Sequence, residues 1–480
     1  MMEEQDGIRG ERWSSHAVFL LAAIGAAVGI GNIWRFPALL GENGGGAYLV
    51  PYLIAVFVFA LPLMILEIAI GRHFRGTVVS SLGAVRPEFR ILGWLLCVVI
   101  FLILSYYIVI TGWTLAYTVF AATGDTITID GFTRSYQPVL YALAAVILTG
   151  LVIAAGVRKG IERISVMMVP VILLALGVMV LYCSTLPGFA EAVRFLFTPD
   201  FSVLTHPDIW VAAFGQAFFS LSVGEGILLT YGSYMAREQD IPRSAFLISV
   251  TDVAISLLAG LVIFPIVFSF GLSPAAGTGL AFTTLPLAFS LMPGGRIIGL
   301  VFFTVLFFAA FTSAISMLEV CVASVQEAAG WTRKRTTAIL TGILLLVSLV
   351  PALSFSAMRL SMGGIPVLDI MDETIGTLGL HLVAVILALA FTWFLPRKIF
   401  EDEVGRSTPL TRLVFTLCKY VIPAGLVLTI GVHLFLGFEI PDATYIAGTH
   451  FLNAWLQAGG LATFLTGILV MVLIIEKIRT

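Results

Sequence analysis

Two stretches of the chain set paired glycines inside otherwise hydrophobic runs: Val28-Gly29-Ile30-Gly31 near the N-terminus and Val223-Gly224-Glu225-Gly226 some two hundred residues later. Unwound backbone in a bilayer leaves N–H and C=O groups without partners, so such a break persists only where it lines a protein cavity holding something polar. A broken helix offers N–H groups at the N-terminus of one half and C=O groups at the C-terminus of the other. One site can then hold both signs of charge. The N–H end suits a carboxylate and the C=O end suits Na⁺ or an ammonium, a combination matched to an amino acid taken up with sodium. Hard cations take several oxygens, and Asn32 stands just after the first break, Ser220 and Ser222 just before the second, and the Thr312-Ser313 pair in the middle of a later apolar run. The competing reading is that the glycines simply let helices pack closely.

The elements that must position these residues are membrane helices. Of 480 residues 59% are hydrophobic and only 11% charged, which puts the chain in the integral membrane class. Runs near the length needed to cross about 30 Å of hydrocarbon recur at 14–40, 47–71, 91–120, 138–157, 164–186, 209–235, 245–271, 297–329, 338–355, 374–396, 411–437 and 452–476, and they predict twelve spans. Cytoplasmic loops should carry the excess of lysine and arginine. With a cytoplasmic N-terminus the inner segments hold Arg9 and Arg12; Arg72, Arg75, Arg86 and Arg90; Arg158, Lys159 and Arg163; Arg237 and Arg243; Arg333, Lys334 and Arg335; Arg397, Lys398, Arg406 and Arg412; and Lys477 with Arg479. The outer loops hold only Arg134, Arg194, Arg296 and Arg359, so both termini are expected to be cytoplasmic.

The remaining composition excludes several classes. A net charge of −2 split between two aqueous faces implies no nucleic-acid partner. Glu3, Glu4, Asp6 and Glu11 make the first segment too acidic for a signal peptide, so the first span is expected to be retained. Cys97, Cys183, Cys321 and Cys418 fall inside predicted spans without metal-ligand spacing and read as inert buried thiols. Six histidines, including His16, His73 and His206, show no nucleophile–base or metal spacing, so an enzyme is not expected. The aqueous segments around 184–208, 272–296 and 397–410 are loop-sized, which leaves the function inside the membrane.

The breaks open the first and sixth spans, which run in opposite directions. The expected domain order is therefore a cytoplasmic segment 1–13, a first repeat 14–183 of spans one to five, an inverted second repeat 208–396 of spans six to ten, and spans eleven and twelve with a short tail over 411–480. The expected fold class is all-α integral membrane, an inverted five-plus-five repeat with discontinuous helices one and six and two additional helices.

The run Gly29-Ile30-Gly31-Asn32-Ile33-Trp34-Arg35-Phe36-Pro37, followed by Glu42-Asn43-Gly44-Gly45-Gly46-Ala47-Tyr48 and Pro51-Tyr52, closely resembles the neurotransmitter:sodium symporter family, in its bacterial leucine-transporter-like form. The likeness continues through Glu67, Gly71-Arg72, Tyr106-Tyr107, Trp113, Gln216 to Tyr234 and Thr312-Ser313. The resemblance implies one or two coupled Na⁺ ions. At the first sodium site the matching positions are the Ala27 carbonyl, Asn32, Ser220 and Asp252; at the second, the Gly25, Val28 and Ala309 carbonyls with Thr312 and Ser313. It implies that a substrate carboxylate meets the amides around Ile30 and Gly31 and the Tyr107 hydroxyl, and that its amino group meets the Ala27 and Phe219 carbonyls and the Ser222 hydroxyl. Ile103, Phe219, Ser222, Glu225, Ser313 and Met317 would surround the side chain. Gly29 stands where amine-transporting relatives carry an aspartate, which argues against a monoamine.

For the gates the resemblance implies an outer ion pair Arg35–Asp369 above Phe219 and Tyr107, and an inner gate anchored by Glu327 with Arg9 or Arg12 beside Trp13. Glu67 is expected to satisfy N–H groups freed by the break in span six. Two departures add negative charge: Glu225, where an apolar residue is common, and Asp252, where many relatives carry asparagine. A carboxyl at mid-helix costs about 2.5–3.5 kcal/mol on the insertion scale, so each needs a cation, a donor or a proton. Three readings of Glu225 stay open: partner of a cationic or amine-bearing substrate side chain, proton carrier, or brace for unwound backbone. Chloride-dependent relatives hold the anion at positions matching Tyr52, Gln216, Ser220 and Ser256; Asp252 is expected to replace it, making chloride unnecessary.

The function expected is a sodium-coupled symporter importing a small amino acid by alternating access across the plasma membrane, with spans one, two, six and seven rocking against the rest. One Na⁺ entering at 100 mV supplies about 2.3 kcal/mol before its concentration gradient is counted. Another zwitterionic solute, a non-transporting sensor and a channel are the alternatives. The partners are substrate, Na⁺ and membrane lipid, as monomer or homodimer.

Overall fold

The computed structural model describes residues 11–125, 128–199, 201–277, 279–405 and 408–435. Among these residues the chain is helical, apart from a two-residue antiparallel pairing of Ser361–Met362 with Ile365–Pro366. Among the described residues, nine helices are long and apolar enough to cross a membrane: Gly46–Phe74, Pro87–Thr123, Gln137–Ala154, Val157–Cys183, Ile241–Ser269, Gly295–Ala329, Arg333–Ser354, Val367–Trp393 and Pro409–Gly431. They correspond to the predicted spans two to five and seven to eleven. A tenth crossing is the first span, whose halves His16–Ala27 and Gly31–Glu42 meet at a 52° bend. The predicted twelfth span lies outside the described residues.

Local chemistry explains both broken helices. Ser15 starts the first by accepting a hydrogen bond from the Val18 N–H, the usual N-cap device. Val28 ends that half in an extended conformation, with φ −74° and ψ 105°, and the chain resumes as a wide π-type turn over Gly31–Arg35 before Phe36–Glu42. Span six is Pro207–Ser220 and Ile227–Ser233, separated by six residues of non-helical backbone. Ser222, Gly224 and Gly226 all take positive φ there, at 51°, 90° and 73°. Only glycine enters that region without penalty, so the two glycines are what let the chain turn, and Ser222 is held there under strain.

Spans two and six touch backbone to backbone. A methyl group at Gly71 would land on the Leu229 carbonyl, and one at Gly232 would lie 2.6 Å from the Ile68 carbonyl. A close-packing role for small residues is thus met here by a glycine on each helix, and at the second break as well, where a methyl group at Gly224 would lie 2.8 Å from Ala384 Cβ and one at Gly226 2.7 Å from Val78 Cγ2.

Sequence and structure part company at the connections. The 184–208 and 272–296 segments are not plain loops: they contain the helices Phe189–Phe197 and Leu285–Leu291, and a third short helix, Arg397–Val404, lies between spans ten and eleven. Span ten starts at Val367 and not near 374, because its opening π-type stretch Asp372–Gly379 carries acidic residues that depress the apolar average. The four cysteines are free and buried, as expected.

Candidate functional site

The break in span one faces the break in span six, and the polar residues predicted for a first ion site converge beside them. Asn32 Nδ2 lies 2.8 Å from Ser220 Oγ, 2.7 Å from Asp252 Oδ1, 3.0 Å from Ser256 Oγ and 3.3 Å from the Asp252 carbonyl. Its Oδ1 accepts from the Gly29 N–H at 2.9 Å, which fixes the orientation of the amide. Ser220 Oγ lies within 3.0 Å of both Asp252 carboxylate oxygens, and Tyr52 closes the group with its hydroxyl 3.5 Å from Oδ2. An NH₂ group has two hydrogens, so four acceptors around one amide nitrogen exceed what it can satisfy. Asn32, Ser220 and Asp252 are each at most 1% exposed, and this oxygen-rich, net-negative pocket suits a small hard cation. Gln216 donates to the Gly31 carbonyl at 2.7 Å, an oxygen that also accepts the Phe36 N–H within the π-type turn.

The second predicted group also comes together. Ser313 Oγ lies 3.0 Å from the Ala26 carbonyl, 3.4 Å from that of Val28 and 3.3 Å from that of Ala309, and Thr312 Oγ1 is 3.0 Å from the Ala309 carbonyl. Gly25 packs against the Thr312 side chain, where a methyl group would lie 3.5 Å from Thr312 Cβ. Carbonyls from span one and hydroxyls from span eight therefore share one buried spot.

Between these groups lies the region expected to hold substrate. The Ile30 N–H donates to the Tyr107 hydroxyl at 3.3 Å, and Ser222 Oγ donates to the Ala26 carbonyl at 3.0 Å. A methyl group at Gly29 would come within 2.7 Å of both Ser313 Oγ and Tyr107 OH, and at Gly31 within 3.1 Å of the Phe219 ring. The Ser313, Tyr107 and Phe219 side chains thus pack directly on the two glycines of the break. Ala27, Ile103, Tyr107, Glu225 and Met317 are buried around it, while Phe219 is half-buried. Glu67 Oε1 accepts from the Gly224 N–H at 2.7 Å, the bracing role read from the sequence.

The predicted gates are placed differently. Arg35 stacks over the Phe219 ring, its Cζ 4.9 Å from the centroid, and among the described residues it makes no ion pair with Asp369. Asp369 is buried with Oδ1 unpaired. At the other end Glu327 accepts from the Thr77 hydroxyl at 2.6 Å and from its N–H at 3.3 Å, not from Arg12, which is exposed. Arg9 lies outside the described residues.

Sequence reasoning missed what fastens that end. The Trp13 indole donates to the Tyr231 carbonyl at 2.9 Å, the Trp13 N–H donates to the Tyr234 carbonyl at 3.3 Å, and the ring meets both tyrosine rings edge-on at centroid distances of 5.0 and 5.8 Å. Beside it Arg333 forms a buried ion pair with Glu319 at 2.5 Å, Tyr234 donates to Glu319 at 2.9 Å, and Glu11 lies 3.9 Å from Arg333. Burial pushes the Glu11 carboxyl above its ordinary range, partly opposed by Arg333. The signal for this group was present, since Glu319 is a carboxylate inside an apolar run.

Two discontinuous membrane helices whose breaks face each other across buried oxygens define a secondary transporter. Comparison with known proteins gives its kind. The model of the sodium:neurotransmitter symporter family matches residues 10–127 and 126–479, and the chain belongs to that family. It is 34% identical over 450 residues to an uncharacterised sodium-dependent transporter of Bacillus subtilis, YhdH, covering 89% of this chain and 98% of the relative. A second uncharacterised sodium-dependent transporter, from Methanocaldococcus jannaschii, is 32% identical over 83% of this chain and 85% of its own length. Among solved structures, that of MhsT in complex with L-phenylalanine superposes with a TM-score of 0.81 at 35% identity, over 87% of this chain and 98% of the other. The chain is thus of a family of membrane transporters and not of enzymes.

Proposed function

We propose that this protein is a symporter that uses the Na⁺ gradient to import a small amino acid by alternating access across the plasma membrane, with both termini cytoplasmic. The observation that carries the reading is the meeting of the two breaks: the Ile30 amide beside the Tyr107 hydroxyl, with the Asn32–Ser220–Asp252 group on one side and the Ser313–Ala26–Val28–Ala309 group on the other. The first arrangement suits a carboxylate. The two oxygen groups suit one Na⁺ each. The phenylalanine complex of MhsT supports an amino acid as the class of substrate. The domain order remains that of two inverted repeats, 14–183 and 208–396, followed by two further helices, and the moving part comprises spans one, two, six and seven. Asp252 lies against Tyr52 and Ser220 and accounts for a cycle that needs no chloride, because a fixed carboxylate already supplies the balancing charge.

The test is uptake of labelled amino acids into proteoliposomes holding the full chain. Accumulation that requires an inward Na⁺ gradient and survives replacement of chloride by gluconate is the expected result. Accumulation that collapses in gluconate removes the chloride assignment alone. No accumulation of any amino acid by folded protein overturns the reading in favour of another zwitterionic solute or a sensor.

A further inference from the structure

Where span three ends at Thr123 and span eight begins at Gly295, the structure holds a cavity of about 810 Å³, within the range of about 300–1,000 Å³ that ligand clefts take. None of the residues lining it belongs to the two oxygen groups or to the breaks. Its floor is aromatic and buried: Tyr117 and Phe120 from span three, Phe282 and Phe289 from the Leu280–Leu291 segment, and Phe303 from span eight. Five rings around one cavity favour an apolar occupant over water.

The rim is polar and sets the charge of that occupant. Arg296 stands on it and donates to the Ala121 and Ala122 carbonyls, freed by the end of span three, at 3.2 and 2.5 Å. Among the described residues it forms no ion pair, so its charge is not matched by a carboxylate of the chain. Two acids share the rim. Asp130 is neutralised by Arg134 at 2.8 Å and lies 4.0 Å from Arg359, while Asp125 accepts from the Thr123 hydroxyl at 2.7 Å. Three arginines thus meet two aspartates, an excess of one positive charge. They are three of the four arginines that the proposed topology gives to the outer loops, so their gathering at one cavity is not a general feature of that face.

The neighbourhood names the source. Leu287 on the rim is 52% exposed, and Leu291 and Ile297, near it in the chain, are 60% and 69% exposed. Large aliphatic side chains left bare at the ends of membrane helices face hydrocarbon, so acyl chains reach the mouth from the side. We propose that the cavity binds one anionic phospholipid of the outer leaflet, an acyl chain on the aromatic floor and the phosphate against Arg296. The chain packs behind Phe282. That ring also meets Trp34, the neighbour of Arg35, edge-on at 5.4 Å, so the lipid braces the Leu280–Leu291 segment against the outer half of span one. The inference uses the proposed topology and needs neither sodium coupling nor any choice of substrate.

The experiment is native mass spectrometry of the full chain in detergent, titrated with phosphatidylglycerol or with phosphatidylcholine carrying the same chains. The wild type is expected to show a saturable site that holds phosphatidylglycerol about fivefold more tightly, the effect of one arginine at a lipid surface. Ser290→Trp and Thr283→Trp each fill the cavity from an exposed rim position and should remove that site for both lipids. Arg296→Gln, which keeps a donor for the span-three carbonyls, should leave the site in place and bring the two lipids within about twofold. Lipid adducts that neither tryptophan removes, or a lipid ratio that Arg296→Gln leaves unchanged, overturn the proposal. Dodecanoate that occupies the site more tightly than phosphatidylglycerol overturns it in favour of a soluble fatty acid. The two tryptophans stand at separate positions, so poor folding of one leaves the other to decide, and Arg296→Gln decides without either.

Discussion

At the Trp13 end of the molecule the chain is fastened by an indole hydrogen bond, two aromatic edges and a buried Arg333–Glu319 ion pair, whereas at the Arg35 end the arginine rests on an aromatic face and Asp369 keeps an oxygen unpaired. The first set of contacts is complete without any ligand. The second is not. An end that is closed by its own residues holds shut until something elsewhere repays the loss of those bonds, while an end lacking its last contact waits for a ligand to supply it. Sodium or substrate that binds beneath Phe219 would shift the balance of the two ends only through contacts that differ between them. The asymmetry lies in bonding and not in the number of charges, since each end has its acid and its base.

The most severe way to break this contrast is to take one partner from the buried pair. Glu319→Ala leaves the largely buried Arg333 with only the Glu11 carboxylate at 3.9 Å and the Ile153 carbonyl to meet its charge, and a loss of about 3 kcal/mol in stability is expected. The paired change Glu319→Leu with Arg333→Met should recover most of it, because an apolar pair of similar volume avoids the desolvation cost. Thermal unfolding in detergent checks both, and equal destabilisation by the single and paired changes would show that the ion pair is not what fastens this end. At the opposite end Asp369→Asn is expected to shift stability by less than about 1 kcal/mol, since Oδ1 accepts no hydrogen bond, yet to slow uptake. A large fall in unfolding temperature would mean that the outer end is fastened too. The smallest effect concerns Glu11. Its carboxyl titrates above the ordinary range when docked, so docking is strongest where the group is protonated and weakens as pH rises through the shifted value. Hydrogen exchange at the Trp13 amide, which is bonded to the Tyr234 carbonyl in the docked state, should therefore accelerate with pH, beyond the intrinsic rate, more steeply in the wild type than with Glu11→Gln. Equal slopes would remove Glu11 from the latch.

Much of this was legible in the residues. The glycine pairs announced the breaks because a positive φ at Gly224 and Gly226 has few alternatives, and Asn32, Ser220 and Asp252 were readable as a group through the family pattern that surrounds them. The latch was not. Glu319 and Arg333 lie 14 positions apart, across the turn between two helices, and Arg333 sat in a basic cluster that already had an explanation as loop charge. Trp13 was recognised, but its hydrogen-bond acceptors are the Tyr231 and Tyr234 carbonyls, and no pattern of side chains reveals which carbonyls a helix end will leave free. The short helices in the connections escaped for a plainer reason: a nine-residue helix such as Phe189–Phe197 is below the length at which hydropathy distinguishes a span from a loop.

The reciprocal glycines of spans two and six have a practical side. Gly71 against Leu229 and Gly232 against Ile68 hold the two helices in direct main-chain contact, so the pair is expected to move as one body. Spectroscopic labels placed one on each of these helices would then report a separation that stays constant whatever sodium, substrate or membrane potential does to the rest. They would form a built-in ruler, against which every distance that does change can be calibrated.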